Sequence, residues 1–149
     1  MQHPALAIDY GEARIGIAAS DPCGILAHPV ESIDRAKTEP IARIGELVRQ
    51  RGIRTLVVGL PLRLDGSEGS ACAKVRRFAA ALHAALPELP LEFQDEFLST
   101  ATAQEKLHAV GKKSRQFRPI IDQAAAVEIL NRRMELDTPA LLTDFPPEL

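Results

Sequence analysis

Acidic residues stand at three widely separated places where the chain changes character. Asp9 closes the apolar run Leu6-Ala7-Ile8, Asp95 and Glu96 close Leu91-Glu92-Phe93-Gln94, and Asp122 precedes the small residues Ala124 to Ala126. Carboxylates brought within several ångströms repel one another, which favours protonation of at least one unless a cation shares the site. Mg²⁺, with Mn²⁺ as a substitute, is the natural guest, because it takes a few carboxylates and completes its shell with water and phosphate oxygens. Two such ions about 4 Å apart stabilise both the attacking and the leaving oxygen of a phosphodiester. The chemistry that Asp9, one of the pair Asp95 and Glu96, and Asp122 could perform is metal-dependent cleavage of a nucleic-acid backbone.

Each acid also has an ordinary structural reading. Asp9, close to Gly11, suits a turn. Asp95 and Glu96 could be solvated strand-end charges, and strand parity sends them to opposite faces, so at most one points directly into a shared site. Asp122 could cap or open a helix, where the dipole favours a negative charge. The cations are equally two-sided. Lys112, Lys113, Arg115 and Arg118 have the composition of a flexible phosphate-gripping loop just before Asp122, or of a solvated face. The segment Gly59 to Ser70 follows an apolar run and precedes a helical pattern, a setting in which backbone amides and Arg63 could meet a phosphate. It lacks the Gly-Lys-Ser/Thr ending of a nucleotide-binding P-loop.

These groups need elements to position them. Leu6 to Asp9 and Arg14 to Ala19 read as a β-hairpin. Ile25 to Ile33 carries Pro29 and polar interruptions, which suits an edge strand. Ile41, Ile44, Leu47 and Val48 recur at helical spacing between Thr38 as N-cap and Gly52 as stop. Thr55 to Gly59 is continuously apolar, as in a buried parallel strand, and leads into a loop from Leu60 to Ser70. A second helix is predicted over 71–86, with Val75, Phe78, Ala79 and Leu82 on one face, closed by Pro87. A strand restarts at Leu91, and a third helix runs from a cap at Ser99 or Thr100 to Gly111. The final helix is expected from about Ile121 to Glu135, burying Ala124, Val127, Ile129 and Leu130. Residues 138–149, with Pro139, Pro146 and Pro147, are expected to be an irregular tail on a single domain of residues 1–137.

Length and composition set the outer bounds. At 149 residues, 46% hydrophobic and 26% charged, the sequence suits one globular domain. No apolar run approaches the roughly 20 residues of a membrane span, and Met1 to Ala7 holds no signal-peptide pattern, so a cytoplasmic location and no membrane partner are expected. Cys23 and Cys72 show neither disulfide nor zinc spacing. The net charge of −2 means that any nucleic-acid footprint must be a local basic patch. With 4% aromatic residues, recognition through shape or backbone is expected rather than base stacking.

The element order, three antiparallel strands followed by helix, strand, helix, strand and helices, predicts an α/β fold with a mixed five-stranded sheet, and it resembles RNase H. More specifically, the chain resembles the YqgF/RuvX family, which is related to RuvC-type Holliday-junction resolvases. The resemblance rests on Ala7-Ile8-Asp9-Tyr10-Gly11 with Arg14-Ile15-Gly16-Ile17-Ala18 and Ser20-Asp21. It continues through Val57-Val58-Gly59-Leu60-Pro61 with Asp65-Gly66-Ser67-Glu68-Gly69, Asp95-Glu96, and Ile121-Asp122-Gln123-Ala124-Ala125-Ala126. It implies that Asp9, Glu96 and Asp122 take the places of the family's metal-binding acids, with Asp95 beside them. It also implies 5′-end processing of pre-16S rRNA, with ribosomal particles as partners; branched DNA is the alternative substrate.

One departure stands out. The family pattern continues from the Asp-Glu pair with arginine, and here Phe97 occupies that position, so a substitute cation would come from Arg14, Arg63 or the 112–118 segment. That departure keeps open a non-catalytic nucleic-acid or protein-interaction module. The Asp-x-Gly turn also resembles the phosphate loop of sugar kinases and actin-like ATPases, but these close two lobes around a nucleotide and the present length supplies one.

Overall fold

Alternation along the strands sorts side chains into two apolar layers, and helices cover each. The computed structural model describes residues 1–97 and 114–143. The elements are β1 (Ala5–Asp9), β2 (Arg14–Ser20), β3 (Ala27–Asp34), α1 (Pro40–Arg51), β4 (Thr55–Leu62), α2 (Ser70–Ala85), β5 (Leu91–Phe97) and α3 (Ser114–Thr143). The five-stranded sheet has the order β3-β2-β1-β4-β5. β2 is antiparallel to both β1 and β3, whereas β4 is parallel to β1 and β5. The mixed α/β architecture is the expected one. Pro29 lies on edge strand β3, beside a register shift between Ile17 and Ala18, where its missing N–H costs least.

On one face, Leu6, Ile8, Ile15, Ile17, Ile33, Leu56 and Val58 pack against α1 and α2. The predicted stripes serve this layer. Ile44 and Leu47 of α1 are buried, as are Val75, Phe78, Ala79 and Leu82 of α2, while Ile41 and Val48 are partly buried. On the other face, small residues Ala5, Ala7 and Ala18 with Val57 meet Ala126, Ile129, Leu130 and Met134 of α3. These short side chains let a helix lie close to the sheet.

Several boundaries differ from expectation, among them the start of β3, at Ala27 and not Ile25. The α1 cap is Glu39, whose carboxylate accepts from the Ala42 N–H at 2.7 Å, rather than Thr38. Pro40 in the first turn fixes a helical φ and holds Glu39 extended, which moves the start by one residue. β4 runs past Gly59 to Leu62, because pairing with β5 continues through Leu60↔Asp95 and Leu62↔Phe97, leaving residues 63–69 as the loop. α3 starts at Ser114 instead of Ile121 and includes Pro119, which removes one ladder bond and crowds the preceding turn. It also runs on to Thr143, so residues 138–143 are helical and not an irregular tail. Within it Ala124 is exposed, and Ala125 and Ala126 are buried in its stead. The third helix expected between Ser99 and Gly111 lies outside the described residues.

Candidate active site

Register decides which acids share a face. Asp9 is directly opposite Gly16 of β2, and Ala7, Ala5 and Ala18, which share its parity, all pack under α3. Asp9 therefore projects on the α3 face. Gly16 is the point at which α3 touches the sheet: a Cβ there would overlap the carbonyl oxygen of Asp122 and lie 3.0 Å from its Cβ. Only glycine admits this approach, which sets Asp122 beside Asp9. On the other side of β1, Gly59 occupies the position after the last β1–β4 pair, Ile8↔Val58. A Cβ on Gly59 would collide with Ile129 and stand 3.2 Å from the Glu96 carboxylate. Glu96 therefore faces α3 as well, in keeping with Glu92, four residues earlier, which bonds Arg133 of α3.

Asp9, Glu96 and Asp122 thus lie in one row across the C-terminal ends of β1, β4 and β5, each half-buried. Asp95 is set apart from them. It pairs with Leu60, whose side chain is in the α1/α2 core layer, so the same parity sends Asp95 to the opposite face, where it is exposed. Continuous pairing from Leu56↔Leu91 to Leu62↔Phe97 leaves no bulge to turn it back.

Asp122 is not the opening residue of its helix. It lies in the third turn of α3, and its carboxylate is held from the sheet. Arg14 Nε donates to Asp122 Oδ2 at 3.1 Å, and the Ser32 hydroxyl donates to the same oxygen at 3.3 Å. Arg14 begins β2 and Ser32 pairs with Gly16 on β3, so both donors belong to the row of acids. No sequence signal marks Ser32, since a serine on an edge strand is unremarkable. Gly16 and Gly59 carried a readable one: glycine inside a strand pattern often marks close approach of another backbone or side chain.

The donor set is made wholly of hard carboxylate oxygens on one face, the chemistry that suits Mg²⁺ or Mn²⁺. Among the described residues, no three His, Cys, Asp or Glu side chains are drawn together closely enough to hold an ion. Asp122 is engaged by the Arg14 guanidinium.

The remaining cations are placed less uniformly. Arg63 opens the 63–69 loop and lays its guanidinium against Gly69, just before α2, on the wall of a cavity of about 540 Å³ bounded also by Leu64, Asp65 and Ser70. A second cavity of about 260 Å³ lies between the Tyr10-Gly11-Glu12 turn and Ser70, Ala71 and Lys74, bringing the α2 N-terminus next to the end of β1. Tyr10 is fixed by the Phe78 ring and by Arg35, which donates to its hydroxyl at 3.0 Å. Arg115 and Arg118 lie in α3 and not in a loop, while Lys112 and Lys113 lie outside the described residues.

Comparison with known proteins gives the family and the fold. The family model RuvX, described as Holliday junction resolvase, matches residues 3–136. The chain belongs to the RuvX family. Among curated relatives, one from Kineococcus radiotolerans is 42% identical over 134 residues, covering 89% of this chain and 71% of its own. Another, from Streptomyces coelicolor, is 47% identical over 132 residues, covering 87% and 78%. Both carry the name "Putative pre-16S rRNA nuclease". Among solved structures, T. thermophilus RuvC in complex with a Holliday junction substrate superposes with a TM-score of 0.51 at 15% identity, covering 90% of this chain and 94% of RuvC. At that identity the likeness concerns the fold, which is RNase H-like. As a RuvX-family nuclease, the chain is a hydrolase of phosphodiester bonds. Among the described residues no helix is long and apolar enough to cross a membrane.

Proposed function

We propose that this RuvX-family protein is a divalent-metal-dependent endonuclease of the cytoplasm that trims the 5′ end of pre-16S rRNA, acting on ribosomal particles or their precursors. The single observation that carries the reading is the row of Asp9, Glu96 and Asp122 on the α3 face, at the ends of strands where α/β folds build their sites. Asp9, Glu96 and Asp122 would hold Mg²⁺, or Mn²⁺ in its place. When bound, the ion supplies Lewis-acid stabilisation of the charge that builds on the phosphodiester during cleavage. The chain's own residues bind and orient: Asp9 and Glu96 reach the site from rigid strands, and Asp122 from a helix seated on Gly16. Arg14, Arg63, Arg115, Arg118, Lys112 and Lys113 are proposed to contact substrate phosphates, with Arg14 and Arg63 supplying cations where Phe97 stands in place of the family's arginine. The rRNA assignment follows the names of relatives sharing 42–47% of their residues with this chain.

The description of the family model favours a second reading, resolution of four-way DNA junctions. Incubating the protein and Mg²⁺ with an end-labelled pre-16S leader RNA and a four-way DNA junction in one reaction separates the two. Preferential cutting of the RNA is expected. Preferential cutting of the junction would replace the first reading by the second, and binding of both without cleavage would return the non-catalytic module.

A further inference from the structure

Among the described residues, the arginine–carboxylate pairs that join different elements are of two kinds, set apart from the one-pronged pairs Arg43–Glu46, Arg132–Glu128 and Arg133–Asp137 within single helices. Arg43 grips Glu31 through Nε and Nη2 at 2.9 and 2.6 Å, Arg76 grips Glu68 at 2.6 and 2.9 Å, and Arg133 grips Glu92 with both bonds at 3.2 Å. These are two-pronged guanidinium–carboxylate pairs, the geometry that gives such contacts their strength. The Arg14–Asp122 pair is different. It uses Nε alone, at 3.1 Å, and is supplemented by a neutral hydroxyl, Ser32, on the same oxygen. Its side chains are 25% and 26% exposed, dry enough for the charge to matter and open enough for release. A one-pronged pair at a carboxylate that would take up an ion is suited to being broken.

We propose that Arg14, assisted by Ser32, is a built-in counter-cation that holds Asp122 until the divalent ion arrives, so that Arg14 and the ion compete for the same carboxylate. Without it, α3 would press an uncompensated carboxylate beside Asp9 over Gly16, at a cost in repulsion and desolvation. With it, the row of acids stays folded in the ion-free protein, and ion binding has to displace Arg14. Toward the ion, Arg14 acts through Asp122 and is a positioning residue, whatever it contributes to substrate phosphates once displaced. The inference rests on the proposed ion site, and its test separates failure of the one from failure of the other.

The test is Mn²⁺ binding, followed by electron paramagnetic resonance of free Mn²⁺ at neutral pH without substrate. Wild type, Arg14→Gln, Asp122→Asn and the double variant are compared, and thermal melts confirm folding. Arg14→Gln is expected to bind Mn²⁺ about threefold to tenfold more tightly than wild type, the scale of a partly exposed pair removed from competition. In the Asp122→Asn background the same substitution is expected to change affinity by less than about twofold, which shows action through Asp122 and not through a general field. Weaker or unchanged binding in Arg14→Gln, or equal tightening with and without Asp122, overturns the proposal while leaving the ion site intact. If wild type binds no Mn²⁺ in a manner sensitive to Asp122, the ion site itself falls and the counter-cation with it. Should Arg14→Gln not fold, Ser32→Ala makes the same test: tightening of about twofold is expected, and unchanged or weaker binding overturns the proposal equally.

Discussion

At the scale of single residues, the adjacent acids Asp95 and Glu96 differ by one step along β5, and that step puts them on opposite faces of the sheet. Glu96 stands over Gly59 toward α3, while Asp95 is exposed on the other side. Asp95→Asn is therefore expected to leave the cleavage rate within about threefold of wild type, since the lost charge lies outside the row; single-turnover kinetics on end-labelled RNA checks this, and a loss beyond about a hundredfold would mean that Asp95 joins the site. Parity was legible in the sequence as a constraint that only one of the pair could point inward; the family resemblance pointed to Glu96, while the residues themselves left the choice open because it depends on the register against β4. Likewise Arg14 and Asp122 lie 108 residues apart, and nothing local to either announces the pair. Asp122 read as a helix-opening acid because the basic run before it read as a loop, whereas Arg115 and Arg118 are already in the helix.

At the scale of elements, one helix completes the row. α3 supplies Asp122, sits on Gly16 and sends Ile129 into the space that a side chain on Gly59 would fill. Ile129 is 1% exposed and belongs to the layer of Ala7, Ala18 and Val57. Ile129→Ala is expected to destabilise the protein by about 2–5 kcal/mol, the usual range for a buried isoleucine emptied to alanine, measured by urea denaturation. An effect under about 1 kcal/mol would mean that α3 is not anchored there. The strands, α1 and α2 were read to within a few residues because their apolar periods are strong and their ends carry Gly, Pro or polar caps. The extent of α3 was not. Its anchoring stripe, Ala125, Ala126, Ile129, Leu130 and Met134, is shorter than the helix it supports, so the pattern underestimates the length.

At the scale of the whole molecule, the net charge of −2 concealed how the charges are distributed, because composition averages over faces. Several surface carboxyls are held below their ordinary range by specific partners. Asp21 is lowered by the Ile25 backbone N–H, Asp65 by the Ser67 hydroxyl, Glu12 by Lys74, Glu68 by Arg76, and Asp137 by its hydrogen bond from Arg133. Lowered carboxyls contribute stability that is fully present above their unfolded values, 3.8 for Asp and 4.5 for Glu, and is lost as pH falls through the lower folded values. Each group is largely exposed, so each contribution is small. Tm is expected to be level above about pH 5 and to fall progressively below about pH 4, with a shallower fall in Asp137→Asn; thermal melts from pH 2.5 to 7 check this, and a Tm that rose on acidification would contradict the sign.

The most direct measurement of the central claim, that Asp9, Glu96 and Asp122 act together around a divalent ion, is cleavage of the pre-16S leader RNA by wild type, Asp9→Asn, Glu96→Gln and Asp122→Asn. Each is assayed with Mg²⁺ and with EDTA, and circular dichroism confirms the fold. The expected result is metal-dependent cutting by wild type and a loss of at least about a hundredfold in every single variant, because each removes a member of one shared site. Cutting that survives EDTA, or a folded Asp9→Asn protein that cleaves within about threefold of wild type, would contradict it.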